Sequence, residues 1–434
     1  MHESFAMTKN DQFSEFRARN TAQVATSRFF AGTSGDAICD QSGATVIDFT
    51  SGYGVTNAGW QREKVISVIE KSVRQRSFAP PWMPTSEAVL LSRSLLETAA
   101  GFSGKCVRAT GGGDANEQIL KAVLAERPGK ILCLERAYHG GSLATLALSD
   151  AERFGLPSPG FVARQPRVPA PYCFRCPWRQ RYPTCGLSCA QAVDHALRQD
   201  AGIVGFIVEP VIGSGGIIVP PPEYLPMVAG SCREHGVRLI LDEVMTGFGR
   251  TGHMLCANTL PLQPDAIALG KGLGGGCVPV GAALLNNGLA KALERYEDTS
   301  STFAWTPLAC IAAQANLELI HDEGLAERAG TMGAKLREQL HAVFAKHVPD
   351  HLGEIRGCGF MIGIELVRDR DSLAPAPEMV RRLALTCLKR GLMLAPSWDW
   401  TTLVVLPPLN IAESTLDEAV AIVAESLRET VGRR

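Results

Sequence analysis

The sequence predicts an α/β protein whose large domain is built on a mostly parallel central sheet with helices on both faces. Two observations carry that expectation. Short apolar runs alternate with helical stretches through the middle of the chain, the signature of strand–helix–strand crossovers. After about residue 320 the texture changes to long helices and isolated β-type runs. We expect residues 1–60 and 321–434 to form one smaller α+β domain, and residues 61–320 the large one.

The elements follow in order. Residues 1–45 read as a loose lead-in ending in a hairpin, because DAICDQSGATVIDFTSG places two β-type runs around Gln-Ser-Gly. REKVISVIEKSVRQR and TSEAVLLSRSLLETA space their apolar residues as helices do, with Thr85 as an N-cap. KILCLE (130–135), GIVGFIVE (202–209), VRLILDE (237–243), DAIALG (265–270) and VGAALL (280–285) read as strands. ANEQILKAVLAER, PPEYLPMVAGSCREHG and PLACIAAQANLELIHDEG read as the helices between or beyond them. A long helix over Leu325 to His347 leads to IRGCGFMIGIEL, a further helix, LVVLPPLNI and a final amphipathic helix. In such sheets ligands collect at the strand ends.

Composition narrows the function. The 434 residues are 46% hydrophobic and 20% charged, ordinary for a packed domain. Lys plus Arg number 43 against 44 Asp plus Glu, a net charge of −1, which argues against a nucleic-acid binder. MHESFAMTKNDQFSEFRARN lacks the apolar core of a secretory signal. The most apolar stretch, Ile203 to Val219, is interrupted by Glu209, Pro210 and glycines, a poor membrane span. An odd count of 13 cysteines in a large chain predicts reduced thiols in the cytoplasm rather than a disulfide framework.

The residues fit for chemistry sit at strand ends. Gly270-Lys271-Gly272-Leu273-Gly274-Gly275-Gly276 follows DAIAL and formally contains the dinucleotide-binding glycine pattern. That fingerprint belongs in the first crossover, with an acid about 20 residues on. Here it lies far along the chain, which leaves a nicotinamide oxidoreductase as a remote alternative. A lysine bare of bulky neighbours suits a Schiff base with an aldehyde cofactor such as pyridoxal phosphate, although Gly-Lys-Gly also occurs in ordinary surface turns. Leu239-Ile240-Leu241-Asp242-Glu243-Val244 ends an apolar strand in two acids. A buried carboxylate needs a cation, and a protonated pyridine nitrogen is one. The ordinary alternative is a helix N-cap, which the glycine-rich VMTGFGRTG that follows argues against. Thr110-Gly111-Gly112-Gly113-Asp114 feeds a helix, offering free N–H groups for a phosphate. Tyr138 follows another strand and can stack on a flat ring; His139 beside it serves the cofactor or fills the core.

These motifs together resemble the class III pyridoxal-phosphate aminotransferases of fold type I. LILDEVMTGFGRTG followed by PDAIALGKGLGGG carries the resemblance, and GGGDANE, AYHGGS, FIVEP, STFAWTPLA and IRGCGFMIGIEL fall in the family's order from about residue 30 onward. The resemblance implies a fold type I architecture and a ping-pong transfer of an amino group from an amine, amino sugar or amino acid to a carbonyl acceptor. It implies Lys271 as Schiff-base lysine and proton shuttle, and Asp242 as partner of the pyridine nitrogen. Val244 and Tyr138 would cover the two ring faces; Gly112, Gly113 and Asp114, with His139 nearby, would complete the cofactor site. Thr302 resembles the residue that reaches the phosphate from the second subunit of an obligate homodimer. Glu209 resembles an acid that gates substrate binding; Tyr53 resembles a substrate-pocket aromatic. The same fold also supports racemases, epimerases and decarboxylating transaminases.

The chain departs from the family in places. Gly111-Gly112-Gly113 stands where a hydroxyl-bearing Ser-Gly-Ser or Ser-Gly-Thr is common, and Met245 where Gln is common. Val404 stands where amino-acid-handling members carry an arginine that clamps a carboxylate, and no Arg or Lys occurs in MLAPSWDWTTLVV. Either one substrate lacks an α-carboxylate there, as a primary amine or an amino sugar does, with Trp398 and Trp400 supplying aromatic contact, or another residue holds the carboxylate. Separately, Cys173, Cys176, Cys185 and Cys189 share one short basic loop with Arg175, Arg179 and Arg181. Close cysteine pairs suit zinc or an iron–sulfur cluster, or simply free thiols in a rigid loop.

Overall fold

The structure is a computed structural model and describes residues 30–150, 152, 163–296 and 300–432. Most of the lead-in over residues 1–45 lies outside the described residues. Its last part forms the expected hairpin, Ala37–Asp40 against Thr45–Asp48, with Phe30–Ser34 added on the outer edge.

A seven-stranded sheet organises the middle of the chain. Its order across the sheet is Gly104–Ala109, Gly281–Asn286, Ala266–Leu269, Arg238–Asp242, Ile203–Val208, Lys130–Leu134 and Arg167–Val168. All neighbours pair in parallel except Gly281–Asn286, which runs antiparallel to both of its partners. The reason is the length of the connector Gly270–Val280. A parallel return needs a crossover of about a dozen residues or more, usually a helix. This one holds only a single 3₁₀ turn, Lys271–Gly274. Gly104–Ala109 carries Lys105 and Arg108 among its six residues and so lacks the apolar run that marks the inner strands. Ile203–Val208 shows that run plainly, with every residue buried.

Helices pack on both faces. Gly112–Glu126 buries Ala115, Ile119, Ala122 and Val123 against the sheet. Ser188–Gln199 and Tyr224–Glu234 pack on one another across the other face. Glu63–Gln75 and Ser86–Thr98 lie against the largely buried Pro307–Asp322. Thr85 caps its helix as expected, its hydroxyl accepting from the Ala88 N–H. The helix expected over Leu325 to His347 has those bounds.

The chain ends meet. Leu392–Met393 joins the N-terminal strands by parallel pairing with Thr45–Asp48. Leu352–Cys358, Met361–Leu366, Thr402–Val405 and Ala395–Pro396 form a second four-stranded sheet. Helix Leu325–His347 lies on it through Gly333, where an added Cβ would sit 2.0 Å from the Gly359 carbonyl oxygen. Gly333→Ala should therefore destabilise the fold by about 1–3 kcal/mol, the cost of overpacking. Gly330→Ala, whose nearest neighbour would be the Gly252 Cα at 3.6 Å, is the control and should leave the thermal unfolding midpoint nearly unmoved.

Candidate active site

The carboxyl ends of three adjacent parallel strands supply the site. Asp242 closes Arg238–Asp242 and is buried. Its Oδ2 accepts from Asn116 Nδ2 at 2.9 Å and lies 2.7 Å from His139 Nδ1. Its Oδ1 accepts from the Val244 N–H at 3.1 Å. No helix follows it, so its carboxylate is not an N-cap. His139 is buried behind it, its backbone N–H donating to Ser149 Oγ at 2.9 Å and its Nε2 making no hydrogen bond. His139 thus bears on the site through Asp242, as a positioning residue. Asn116 was not singled out from the sequence. Its only signal is its place one turn into the helix that the glycines feed.

Lys271 starts the turn after Ala266–Leu269 with a left-handed φ of 41°. Such a conformation costs a non-glycine residue about 1–3 kcal/mol and persists where the surroundings enforce it. The side chain is half-buried and makes no hydrogen bond or ion pair among the described residues. Burial lowers its pKa below that of an ordinary lysine, while the charges of Glu209 and Asp242 oppose the shift. Glu209, just past Ile203–Val208, accepts from the Tyr138 N–H at 3.0 Å through Oε1 and from the Gly213 N–H at 2.9 Å through Oε2. Burial pushes its pKa up to about 7 against the pull of His139.

Close packing ties these ends to the glycine-fed helix. A Cβ on Gly112 would lie 2.5 Å from Val244 Cγ1, and one on Gly270 would lie 2.7 Å from the Gly112 nitrogen. Gly113 faces Gly140, whose Cα would be 3.6 Å from an added Cβ. Lys271, Val244, Tyr138 and the helix N-terminus are thereby drawn together. Asp114 spends its carboxylate on its own loop, accepting from the Thr110 N–H at 2.8 Å, Thr110 Oγ1 at 3.0 Å and Gln118 Nε2 at 3.2 Å. What Asp114 leaves for an anion is its backbone N–H, not its side chain.

Tyr138 stacks on Trp398 with ring centroids 5.5 Å apart and 29° between planes. Tyr53 lies in a turn of four left-handed residues, Ser51, Gly52, Tyr53 and Gly54, with φ of 47°, 57°, 66° and 79°. The turn is held by Asp48 Oδ1, which accepts from the N–H groups of Thr50 at 2.8 Å and Ser51 at 3.2 Å. The Tyr53 hydroxyl donates to the Pro396 carbonyl at 2.8 Å, and burial pushes its pKa up to about 12. Thr302 is exposed in this chain, beside the exposed Phe303, and makes no hydrogen bond among the described residues. Val404 is fully buried in an apolar cluster with Met245, Val211 and Ile217, against which Tyr53 packs.

The cysteine loop is drawn together only loosely. Cys173, Cys176, Cys185 and Cys189 all border one small void, and all are free thiols. No three of their sulfurs lie within 4.8 Å of one another, so the loop holds no preformed metal cage; among the described residues only Asp194, Glu234 and His235 meet that spacing. Arg175 of this loop turns inward and pairs with the buried Glu365.

A strand-end lysine, a strand-end aspartate and a glycine-fed helix on one parallel sheet define the fold type I class of pyridoxal-phosphate enzymes. Residues 18–427 match the family model for Aminotransferase class-III, and the chain belongs to that family. It is 32% identical to the acetylornithine aminotransferase of Methanothermobacter thermautotrophicus over 398 residues, 91% of this chain and 92% of that one. It is 29% identical to the leucine/methionine racemase of Thermococcus litoralis over 381 residues, 86% and 84% of the two chains. The omega transaminase of Pseudomonas jessenii in complex with PMP superposes with a TM-score of 0.89 at 25% identity, covering 98% and 99% of the two chains. An amine transaminase from an uncultivated Pseudomonas species, in its PLP-bound form, superposes at 0.86 with 27% identity, covering 96% and 98%. The dinucleotide reading of the run after Gly270 falls for a local reason as well: those glycines feed a 3₁₀ turn and an antiparallel strand, not a helix N-terminus. Among the described residues no helix is long and apolar enough to cross a membrane.

Lys271 should react as a neutral amine below the pH that an ordinary lysine needs. Its labelling by a small aldehyde with borohydride trapping should show a midpoint below 10.5. Glu209→Gln deletes a charge that holds the lysine's pKa up, so the midpoint should move lower still; a move upward contradicts this electrostatic account.

Proposed function

We propose that this aminotransferase seats pyridoxal phosphate among Lys271, Asp242, Val244, Tyr138, Gly112, Gly113 and the N–H of Asp114, with His139 holding Asp242. The observation that carries the reading is the Lys271 amine, half-buried and unpartnered, with two strand-end carboxylates acting on it. The residues fit the group. The packing that would reject a Cβ at Gly112 and Gly270 leaves bare backbone at the helix mouth. Asp242, held from behind by Asn116 and His139, is oriented to meet a cation. When bound, pyridoxal phosphate supplies an electron sink that carries the amino group between substrates.

The side chains divide the remaining work. Asp242 keeps a proton on the pyridine nitrogen, because removing that cation would strand a buried carboxylate. Lys271 Nζ, its pKa lowered by desolvation, would take the proton from the substrate's amine-bearing carbon and deliver it to the cofactor carbon on the far side of the transferred nitrogen. Glu209, with a pKa near 7, changes charge in the working range and gates what enters beside Lys271. Racemisation would return the proton to its original carbon, so accumulation of a carbonyl product with an amine donor separates the two outcomes.

The donor is an amine without an α-carboxylate, a primary amine or an amino sugar. Where a clamping arginine would stand, Val404 is sealed in apolar contact with Met245 and its cluster. Burying a carboxylate there without a cation would cost several kcal/mol. Tyr53 and Trp398 would border the bound substrate.

The working unit is a homodimer in which Thr302 of the partner subunit completes the phosphate site. Trp82, Met83, Val89 and Phe303 are exposed apolar side chains along the segments near Thr302 and the 86–98 helix, a surface suited to a second copy of the chain. The 13 cysteines are all free thiols, which suits the cytoplasm.

Lys271→Ala should abolish the visible absorbance of bound cofactor and lower turnover by about 10⁴-fold. Asp242→Ala should keep the absorbance while slowing turnover by on the order of 10²-fold or more. A carboxylate-free amine should be turned over in clear preference to L-alanine, whose carboxylate sits on the amine-bearing carbon; the reverse preference overturns the donor assignment. Sedimentation equilibrium should give twice the mass of one chain, and Thr302→Ala should weaken cofactor affinity without dissociating the dimer.

A further inference from the structure

The segment after Ala395–Pro396 is organised around one carboxylate. Asp399 Oδ1 accepts from Ser397 Oγ at 2.8 Å, from Thr401 Oγ1 at 2.9 Å and from the Thr401 N–H at 3.3 Å. These bonds fold residues 397–401 into a tight turn, with Trp400 left-handed at φ 56°. The second oxygen, Oδ2, faces away from the turn and pairs with Arg136 Nη1 at 2.9 Å. Arg136 lies two residues before Tyr138, on the loop that leaves Lys130–Leu134. It too is left-handed, at φ 65°, and Nη1 also donates to the Gly215 carbonyl at 3.3 Å. One loop therefore grips two consecutive residues of the other: Arg136 holds Asp399, and the Tyr138 ring stacks on Trp398.

The grip is well placed to matter. The two charged side chains are only 13% and 18% exposed, so their attraction is poorly screened. Tyr138 is itself fixed to the acid Glu209 through its backbone N–H. Other ties on the segment include the Tyr53 hydroxyl to the Pro396 carbonyl at 2.8 Å, the Trp398 N–H to the Ser214 carbonyl at 3.4 Å, the Ser397 N–H to the Thr402 carbonyl at 2.7 Å and the Arg381 guanidinium 4.5 Å from the Trp400 ring centroid. The ion pair joins two opposite charges, and it is next to Trp398 in the chain.

We propose that Arg136 and Asp399 form a positioning pair that sets substrate selectivity: by clamping the 397–401 turn, they hold Trp398 against Tyr138 and give the pocket a rigid aromatic side that favours amines bearing a flat aryl group. The proposal rests on the aminotransferase reading with a carboxylate-free donor. Neither residue touches the reacting atoms. Their effect passes through Trp398.

Asp399→Asn keeps the acceptor oxygen that shapes the turn and removes the charge that Arg136 holds. Kinetics with benzylamine and with propylamine, read beside the visible absorbance of the holoenzyme, test the pair. The variant should raise KM for benzylamine about tenfold, the upper scale of an aromatic pair. KM for propylamine and the cofactor absorbance should stay at their wild-type values. Arg136→Lys, which keeps the charge, should lose less than Asp399→Asn does. Trp398→Ala should raise the benzylamine KM by itself, and adding Asp399→Asn to it should then have no further effect. An effect of Asp399→Asn that persists without the indole, or one that is equal for both amines, overturns the proposal. Failure of the unmodified enzyme to use either amine overturns instead the donor assignment on which it stands.

Discussion

The site depends on one constraint: an amine and two carboxylates must share a water-poor space at the ends of neighbouring strands without collapsing into a closed salt bridge. Lys271 feels Glu209 and Asp242 electrostatically but bonds to neither. Each acid is occupied from behind. Glu209 is held by two backbone N–H groups, Asp242 by Asn116, His139 and the Val244 N–H. A carboxylate tied down in this way cannot swing over to neutralise the lysine. The amine is left with a lowered pKa, which favours the neutral form that a nucleophile or proton carrier needs.

That arrangement places demands on backbone that bears no side chain. Gly270 precedes the lysine and abuts the Gly112 nitrogen, while Gly112 abuts Val244. Any Cβ at these points would push apart the three pieces of chain that carry the charges. The same bareness leaves the first N–H groups of helix Gly112–Glu126 open, so one packing solution serves both the lysine and an anion. The short connector that carries Lys271 also reverses the next strand. The antiparallel Gly281–Asn286 is thus a consequence of where the lysine sits rather than an independent feature of the sheet.

Much of this was legible in the sequence because its signals are local. Strand-end acids, the Gly-Lys-Gly turn and the glycine run before a helix each show within a few residues, as do the buried strands with their unbroken apolar runs. What escaped is held by contacts between distant parts of the chain. Asn116 looks like any polar helix residue until the fold sets it beside Asp242, 126 positions away. Arg136 and Asp399 are separated by 263 positions, and nothing near either one announces the other. Gly104–Ala109 escaped because Lys105 and Arg108, one on each face of this edge strand, break the apolar pattern. The role of Asp114 shifted for a local reason that only coordinates expose: three donors from its own loop and helix already use its oxygens.

The departures from the family pattern become coherent when taken together. Met245 and Val404 belong to one buried apolar cluster, and Tyr53 packs against it. Replacing only one of them by a polar residue would leave that group facing hydrocarbon, so the pair makes sense as a joint change. The nearest charged pair on the same C-terminal segment, Asp399 with Arg136, is turned to internal use. Its arginine is committed to an aspartate and a carbonyl rather than held ready for a ligand. On the proposed reading, a pocket with its neighbouring cation so engaged and its clamp position filled by valine would discriminate by shape and apolar contact. Its selectivity would then depend on how firmly the stack of Tyr138 on Trp398 is held, and in the proposal that firmness comes from Arg136 and Asp399, which do not meet the substrate.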